Sequence, residues 1–165
     1  IDLKQYPMGI DGCGLPAPTM PLLQLARATA RFARPVDLSD DRAKAIQRLH
    51  EAITNEPLYI AGHGSVVSEV NEATKGSVLA KTGAEGVVIA ALPEQGLGIA
   101  VKIADGSSRA RSVALLAILD HLGALSVEEK HQLQSHIAPA IVNSRGDTVG
   151  EIRPAASWLS EAGKN

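Results

Sequence analysis

The chain has 165 residues, of which 45% are hydrophobic and 21% are charged, and its formal net charge is −2. These values are typical of a globular protein with one core, and we interpret residues 1–165 as a single domain. The small net charge and the lack of a long apolar run argue against a polybasic nucleic-acid binder and a membrane-spanning protein, so we expect neither partner.

The amino-proximal part is predicted to be a loop followed by a helix. Residues 1–18 contain several glycines and prolines, too many breakers for regular structure. Thr19 is predicted to cap the following helix, with Pro21 in its first turn, because both residue types are favoured there. Pro35 is predicted to end this helix, since proline cannot continue it.

Two further helices are predicted before the first strand of the central region. The first runs from Ser39 to Asn55, and its acidic first turn suits the helix dipole. Four apolar residues at helical spacing are predicted to face inward from it: Ala43, Ile46, Leu49 and Ile53. The second covers residues 66–74 and is stopped by Gly76.

The hydrophobic period then changes from that of a helix to that of strands. Residues 78–81 are predicted to form a short strand, and residues 87–92 are a continuous apolar run typical of a central strand. Residues 97–103 alternate between large apolar side chains and smaller or polar ones. The pattern predicts an antiparallel meander flanked by helices, which is an α/β fold of the α+β type.

Helices are predicted to dominate the remainder of the chain. A well-buried helix is predicted over residues 109–122, because its apolar residues cover a wide face. Ser126 and Glu129 have the spacing of a capping box, and the helix that they begin is predicted to stop before Pro139. Residues 149–153 are predicted to form an edge strand.

Lys81-Thr82-Gly83 is the first candidate site, because it lies where the first strand of the meander ends. A Lys-Thr-Gly strand is one element of serine β-lactamase and penicillin-binding chemistry. The lysine charge there supports the nucleophile and the substrate's carboxylate, and Gly83 would let a substrate approach the strand edge. A solvated lysine beside a tight turn is the simpler interpretation. The nucleophilic Ser-x-x-Lys element does not occur in this sequence, so we expect the nucleophile elsewhere.

Asp11-Gly12-Cys13-Gly14 is the second candidate site. Cys13 is the one cysteine of the sequence, which excludes an internal disulfide and favours a reducing compartment, so we expect a cytoplasmic protein. The flanking glycines let the loop turn the thiol toward a metal or a pocket, with the Asp11 carboxylate two residues before it. One cysteine cannot complete a tetrahedral zinc site, and a lone cysteine is more often a small buried hydrophobe.

Other candidates carry weaker signals. We interpret His63, between two glycines, as a loop histidine, because the sequence offers no partners for a triad around it. Three histidines on predicted helices are interpreted as surface residues: His121, His131 and His136. Asp105-Gly106 with Arg109 and Arg111 indicates either an anion-binding helix N-terminus or a turn and helix cap with surface arginines.

Taken together, these segments resemble the bacterial L-asparaginase II family, of the type first associated with rhizobia. The resemblance begins at residues 9–16, which contain Asp11-Gly12-Cys13, and includes the helix after them and residues 80–86, which contain Lys81-Thr82-Gly83. It continues through residues 96–100, 102–106 and 150–154. The match spans nearly the whole chain, and the combination is far more specific than any single motif.

This resemblance implies a serine β-lactamase-like fold and the hydrolysis of L-asparagine to L-aspartate and ammonia. It implies that Lys81 acts with serine–lysine pairs whose serines lie in an amino-proximal half, because this chain matches the carboxyl-proximal half. It also implies a zinc ion held partly by Cys13, and a substrate pocket bordered by Asp11 and Gly83. We therefore expect a fragment or subunit that associates with the amino-proximal half and forms homo-oligomers.

Two alternatives stay open at this point. One is another enzyme of the same implied fold, a penicillin-binding or β-lactamase-type protein, in which the Asp-Gly-Cys segment has no evident role. The other is a non-catalytic packing or oligomerisation domain, which the absence of Ser-x-x-Lys favours. In the second case, replacing Lys81 would change no measurable property of the chain.

Overall fold

The computed structural model describes residues 3–158, which form a mixed α/β fold. Short 3₁₀ helices lie at Leu3–Gln5 and Pro57–Ile60. The strands and α-helices follow one another in this order: β1 (Met8–Ile10), β2 (Pro16–Pro18), α1 (Leu22–Ala33), α2 (Asp40–Asn55), α3 (Val66–Thr74), β3 (Leu79–Thr82), β4 (Val87–Leu92), β5 (Leu97–Lys102), α4 (Arg109–His121), α5 (Val127–Gln132), α6 (Gln134–Ile137), β6 (Ala140–Val142) and β7 (Thr148–Glu151).

Strands β3, β4 and β5 form the antiparallel meander that the sequence predicts. β4 lies in the centre, with Lys81 opposite Ile89 on the β3 side and Ala90 opposite Ile99 on the β5 side. Cα partners point their side chains to the same face of an antiparallel sheet. The register therefore places Lys81 and Ile89 on one face, here called the outer face, and Ala90 and Ile99 on the other, the inner face.

The larger core lies between the inner face and helices α3 and α4. Its side chains are branched aliphatic residues and alanine, as expected from a sequence with 2% aromatic residues. The buried members are Val66, Val67, Val70, Val78, Ala80, Val88, Ala90, Leu92, Ile99, Leu115, Leu116, Leu119, Leu125 and Leu133. This burial fixes the register of the sheet, because a slip of one residue would turn the inner face toward the outer side.

Helix α1 covers the outer face and approaches β5 at Gly98. A Cβ built on Gly98 would lie 2.7 Å from the backbone carbon of Thr29 and would overlap Ala26 O and Ala30 N still more closely. Only glycine lets a helix backbone come this near to a strand. A smaller cluster, formed by Ala33, Leu79 and Ala91 with Phe32 and Ile53 packed against them, fills the rest of this interface.

Residues 8–18 differ from the prediction of an irregular loop. Strands β1 and β2 pair in an antiparallel hairpin, supported by Asp11 N donating to Leu15 O at 2.9 Å and Thr19 N donating to Pro7 O at 2.8 Å. Proline is tolerated in such a two-stranded edge ladder because the missing N–H can face outward. The consequence is that Asp11-Gly12-Cys13-Gly14 is the tip of a hairpin.

The start of α1 also differs from the prediction. The N-cap position is Pro21 and no side chain caps this end, so Thr19 is not the helix cap. The predicted end at Pro35 is confirmed, since Ala33 is the last helical residue and Arg34 the C-cap. Thr19 instead extends the hydrogen bonding of the β1–β2 hairpin through its backbone N–H.

Helix α2 has the predicted length but not the predicted buried stripe. Leu49 is 52% exposed, and no residue of this helix is buried within the described part of the chain. The helix lies on the outside of the smaller cluster, where Ile53 supplies the packing contact. The spacing of the apolar residues therefore predicted the helix correctly. The prediction that its apolar face is buried is wrong for Leu49.

The carboxyl-proximal elements agree with the prediction in position and differ in detail. The Ser126–Glu129 capping box is present, with Glu129 N donating to Ser126 Oγ at 3.2 Å. The predicted helix is divided at Leu133 into α5 and α6. The predicted edge strand is β7, and it pairs with β6. Within residues 3–158, no helix is both long and apolar enough to cross a bilayer.

We predict that Gly98→Ala lowers the free energy of unfolding by about 3 kcal/mol, because the new methyl group overlaps the α1 backbone. Urea denaturation with an unchanged slope measures this loss. Gly12→Ala is the matched control, since its Cβ would have no heavy atom within 4 Å, and its free energy should change by less than about 0.5 kcal/mol. Equal effects of the two substitutions would contradict the close approach.

Candidate functional site

Lys81 lies on the outer face near the end of β3, and its side chain is exposed. Its Nζ donates to its neighbour's carbonyl, Thr82 O, at 2.9 Å. Among residues 3–158, no carboxylate forms an ion pair with it. The ammonium group is therefore available to an anionic or carbonyl group that reaches the end of this strand.

A groove of about 370 Å³ lies beside Lys81, between helices α1 and α2 and the outer face. Its lining is almost wholly apolar, and Lys81 contributes the one charged side chain among the lining residues: Leu25, Ala28, Thr29, Phe32, Ile53, Ile60, Leu79, Ala80, Lys81, Ile89 and Ala91. A cation at the rim of an apolar groove is weakly screened on the groove side. A ligand bound in the groove would exclude water from that side of the Lys81 ammonium.

The backbone before Lys81 is held by Asn71 of helix α3. Asn71 is fully buried, and its carboxamide forms two hydrogen bonds with one residue of β3. Ala80 N donates to Asn71 Oδ1 at 2.7 Å, and Asn71 Nδ2 donates to Ala80 O at 3.0 Å. The side chain thus occupies the place of a neighbouring strand at Ala80, and it fixes the residue that precedes Lys81.

The backbone after Lys81 turns sharply toward β4. Gly83 N donates to Val87 O at 2.9 Å, and a Cβ on Gly83 would lie 3.2 Å from Val87 Cβ. Glu85 and Gly86 have φ values of 53° and 71°, which make the tight turn. Lys102 Nζ donates to Glu85 O across the turn. The segment that contains Gly83 is therefore compact and held on several sides.

Arg111 of helix α4 reaches this turn. Its Nη1 donates to Gly83 O at 3.3 Å, although 28 positions separate the two residues. Arg111 is half-buried and Arg109 is exposed. The first turn of α4 is thus linked to the Lys81-Thr82-Gly83 segment by a charge-assisted hydrogen bond.

The Asp11–Gly14 loop is an exposed hairpin tip with its own internal hydrogen bonds. Gly12 N donates to Asp11 Oδ1 at 2.7 Å, and Cys13 Sγ lies 3.8 Å from Asp11 Oδ2. Cys13 is exposed, which does not fit the alternative of a small buried hydrophobe. Within residues 3–158, no hydrogen bond joins this loop to Lys81 or Gly83.

The loop offers two donors of the kinds that zinc binds, a thiol and a carboxylate. Two ligands of one tetrahedral zinc are separated by roughly 3.5 Å, which is close to the 3.8 Å between Cys13 Sγ and Asp11 Oδ2. Among residues 3–158, no group of three or more His, Cys, Asp or Glu side chains could hold a metal. The loop residues fit a zinc ion as part of a donor set and do not complete one.

Among the described residues, no histidine forms a hydrogen bond or ion pair with Lys81. His136 Nε2 lies 2.8 Å from Glu69 Oε2, and its side chain is 19% exposed, so its interpretation as a surface residue is wrong. His121 and His131 are exposed, as predicted. His63 is exposed between two glycines at positive φ, which agrees with a loop histidine.

Sequence reasoning missed two residues that hold the Lys81 strand, Asn71 and Lys102. Asn71 had a usable signal, because it is a polar residue on the apolar face that Val67, Val70 and Thr74 form in α3. Lys102 had no signal, since a lysine at the end of a strand is usually solvated. Its hydrogen bond to Glu85 O depends on how the β3–β4 and β5–α4 turns meet.

A family model described as L-asparaginase II matches residues 1–154. This range is more than half of the chain, and it includes Asp11, Cys13, Asn71, Lys81 and the Gly83 turn. No curated protein matches the chain.

We predict that Asn71→Asp lowers the free energy of unfolding by about 3 kcal/mol or more at neutral pH. The carboxylate would be buried against Ala80 O and could not replace the lost donor, Asn71 Nδ2. Gln95→Glu is the control, because it makes the same amide-to-carboxylate change in an exposed turn. Thermal or urea unfolding measures both, and a loss as small as that of the control would contradict this role for Asn71.

Proposed function

This chain belongs to the L-asparaginase II family, and from that premise we propose that it contributes Lys81 to the active site of an L-asparagine amidohydrolase. The reaction is the hydrolysis of the side-chain amide of L-asparagine, which yields L-aspartate and ammonia. The observation that carries the proposal is the family match over residues 1–154, which contains the complete Lys81-Thr82-Gly83 segment. The Lys81 ammonium supports it, because it is exposed at the rim of the groove and forms no ion pair within residues 3–158.

We propose that the nucleophile is a serine from outside residues 1–165, because no Ser-x-x-Lys element occurs in this sequence. Its Oγ would attack the amide carbon while its proton passes to a neighbouring base, and the tetrahedral oxyanion would expel ammonia as the nitrogen takes up a proton. Water would then cleave the acyl ester to L-aspartate and free serine. Two steps of this kind replace one difficult hydrolysis.

The part of Lys81 in this scheme is electrostatic. A positive charge near the serine lowers the free energy of its deprotonated form, and the same charge stabilises the oxyanion that follows attack. The apolar walls of the groove strengthen both effects, because they keep the local dielectric constant low. Gly83 would leave the strand edge open to the substrate, and Asp11 would border the pocket from the hairpin tip.

We further propose that Cys13 and Asp11 are two ligands of a zinc ion and that the other ligands come from outside the described residues. Their donor atoms are close enough to share one cation. When bound, zinc would supply a fixed positive charge at the wall of the pocket. The residues of the loop would orient that charge, because Gly12 N holds Asp11 Oδ1 in place.

The serine and the remaining ligands would come from the amino-proximal half of the same enzyme, which we propose as the partner of this chain. The support is the sheet itself. Within residues 3–158, strand β5 pairs with β4 alone, whereas the free side of β3 is bound at Ala80 by the Asn71 side chain. An unpaired strand edge is a surface to which a further strand can add.

We predict that Lys81→Ala in the full-length protein lowers kcat/KM for L-asparagine on the order of 10²-fold or more. Ammonia release, followed over time, is the measurement. Lys44→Ala is the control, since it removes an exposed lysine of α2 away from the strand, and it should keep the activity of the wild-type protein. Equal rates in wild type and Lys81→Ala would show that Lys81 has no part in the reaction.

We predict that Cys13→Ser lowers zinc affinity on the order of 100-fold, because a hydroxyl is a much poorer zinc ligand than a thiolate. Metal analysis after dialysis and calorimetric titration with zinc give the result without any activity assay. Asp11→Asn should lower the affinity less, and Asp41→Asn, an exposed carboxylate of α2, should leave it unchanged. Wild-type protein that binds no zinc would overturn this assignment.

A further inference from the structure

We propose that Arg111 is a positioning residue that holds the Gly83 turn and, through it, keeps Lys81 where the reaction needs its charge. This inference rests on the proposed function for its effect on catalysis. The contact itself, Arg111 Nη1 donating to Gly83 O at 3.3 Å, is independent of it. Arg111 is expected to touch no reacting atom, so its effect would be transmitted through the backbone of the Lys81-Thr82-Gly83 segment.

The contacts on either side of this segment show what Arg111 adds. Asn71 fixes Ala80 before Lys81, and Lys102 binds Glu85 O after the turn. Between those two points, in the described part of the chain, the hydrogen bond from Arg111 is the side-chain contact that reaches the segment from another element. This bond therefore links Gly83 directly to helix α4, in addition to the packing of the turn.

Two glycines bring the turn close enough for Arg111 to reach it. A Cβ on Gly86 would lie 2.9 Å from Ile103 Cβ, and a Cβ on Gly106 would lie 2.7 Å from Glu85 Oε2. These close contacts pack the β3–β4 turn against the segment that leads into α4. Arg111 lies five residues after Gly106, in the first turns of α4, and its side chain reaches back to the β3–β4 turn at Gly83 O.

The burial of Arg111 argues against a role in stability alone. Its Nε is buried and has no hydrogen-bond partner among the described residues. A buried donor without a partner lowers the stability of the folded protein, and an unbranched apolar side chain of similar length would avoid that loss. An arginine at this position is thus a poor choice for packing and a good choice for holding a backbone carbonyl.

The test compares Arg111→Met with Arg111→Lys in the full-length protein. Arg111→Met keeps most of the volume and removes every side-chain donor, whereas Arg111→Lys keeps a positively charged donor. Arg109→Met is the matched control, because Arg109 is an exposed arginine in the same helical turn. The measurements are kcat and KM for L-asparagine, stability in urea, and hydrogen exchange of the Gly83 and Val87 amides.

We expect Arg111→Met to lower kcat about 10-fold with KM changed less than about 3-fold, because substrate still binds while Lys81 is misplaced. Stability in urea should be equal to wild type or higher, and amide exchange at Gly83 should be about 10-fold faster. Arg111→Lys should recover much of kcat. Arg109→Met should match the wild type in every measurement.

Two results would overturn the inference. One is an unchanged kcat with unchanged exchange in Arg111→Met, and the other is a loss of kcat that merely follows a loss of stability. If the wild-type protein releases no ammonia from L-asparagine, the proposed function is wrong. In that case hydrogen exchange alone tests the positioning role of Arg111. Unchanged protection of the Gly83 amide in Arg111→Met would show that the Arg111–Gly83 bond does not hold the turn.

Discussion

The close approach of helix α1 to strand β5 at Gly98 is the constraint on which the rest of the structure depends. The helix backbone occupies the volume that any side chain at Gly98 would need, so α1 lies directly on β5 across the outer face. The space above β3 is then enclosed by the remaining side of α1 and by α2, and it forms the apolar groove beside Lys81. The groove is thus a consequence of where one glycine lets a helix lie.

Polar contacts then determine the position of the strand that borders this groove. Asn71 satisfies both backbone groups of Ala80 from the core side, while Arg111 and Lys102 bind the carbonyls of Gly83 and Glu85 from the opposite end of the segment. Backbone groups on an outer strand need partners, and here the buried Asn71, the half-buried Arg111 and the exposed Lys102 supply them. Lys81 itself stays exposed because these contacts are made by its neighbours.

The secondary structure was largely predictable where periodicity and breakers agree. The meander of β3, β4 and β5 was predicted because its runs are short, apolar and separated by glycine-containing turns. The β1–β2 hairpin was missed, because Pro16 and Pro18 are read locally as breakers although a two-stranded edge accepts them. The exposure of Leu49 was missed as well, since helical spacing shows which face is apolar and not whether another element covers it.

The sequence by itself determined the chemistry available to this protein: one cysteine beside an aspartate, a Lys-Thr-Gly strand end, and no Ser-x-x-Lys. Its motifs together predicted the L-asparaginase II family, which the family match confirms. Only the tertiary structure decided which side chains hold Lys81, because Asn71, Lys102 and Arg111 reach their carbonyls through contacts between separate elements. Local spacing carries no information about such contacts, which arise when helices and strands pack.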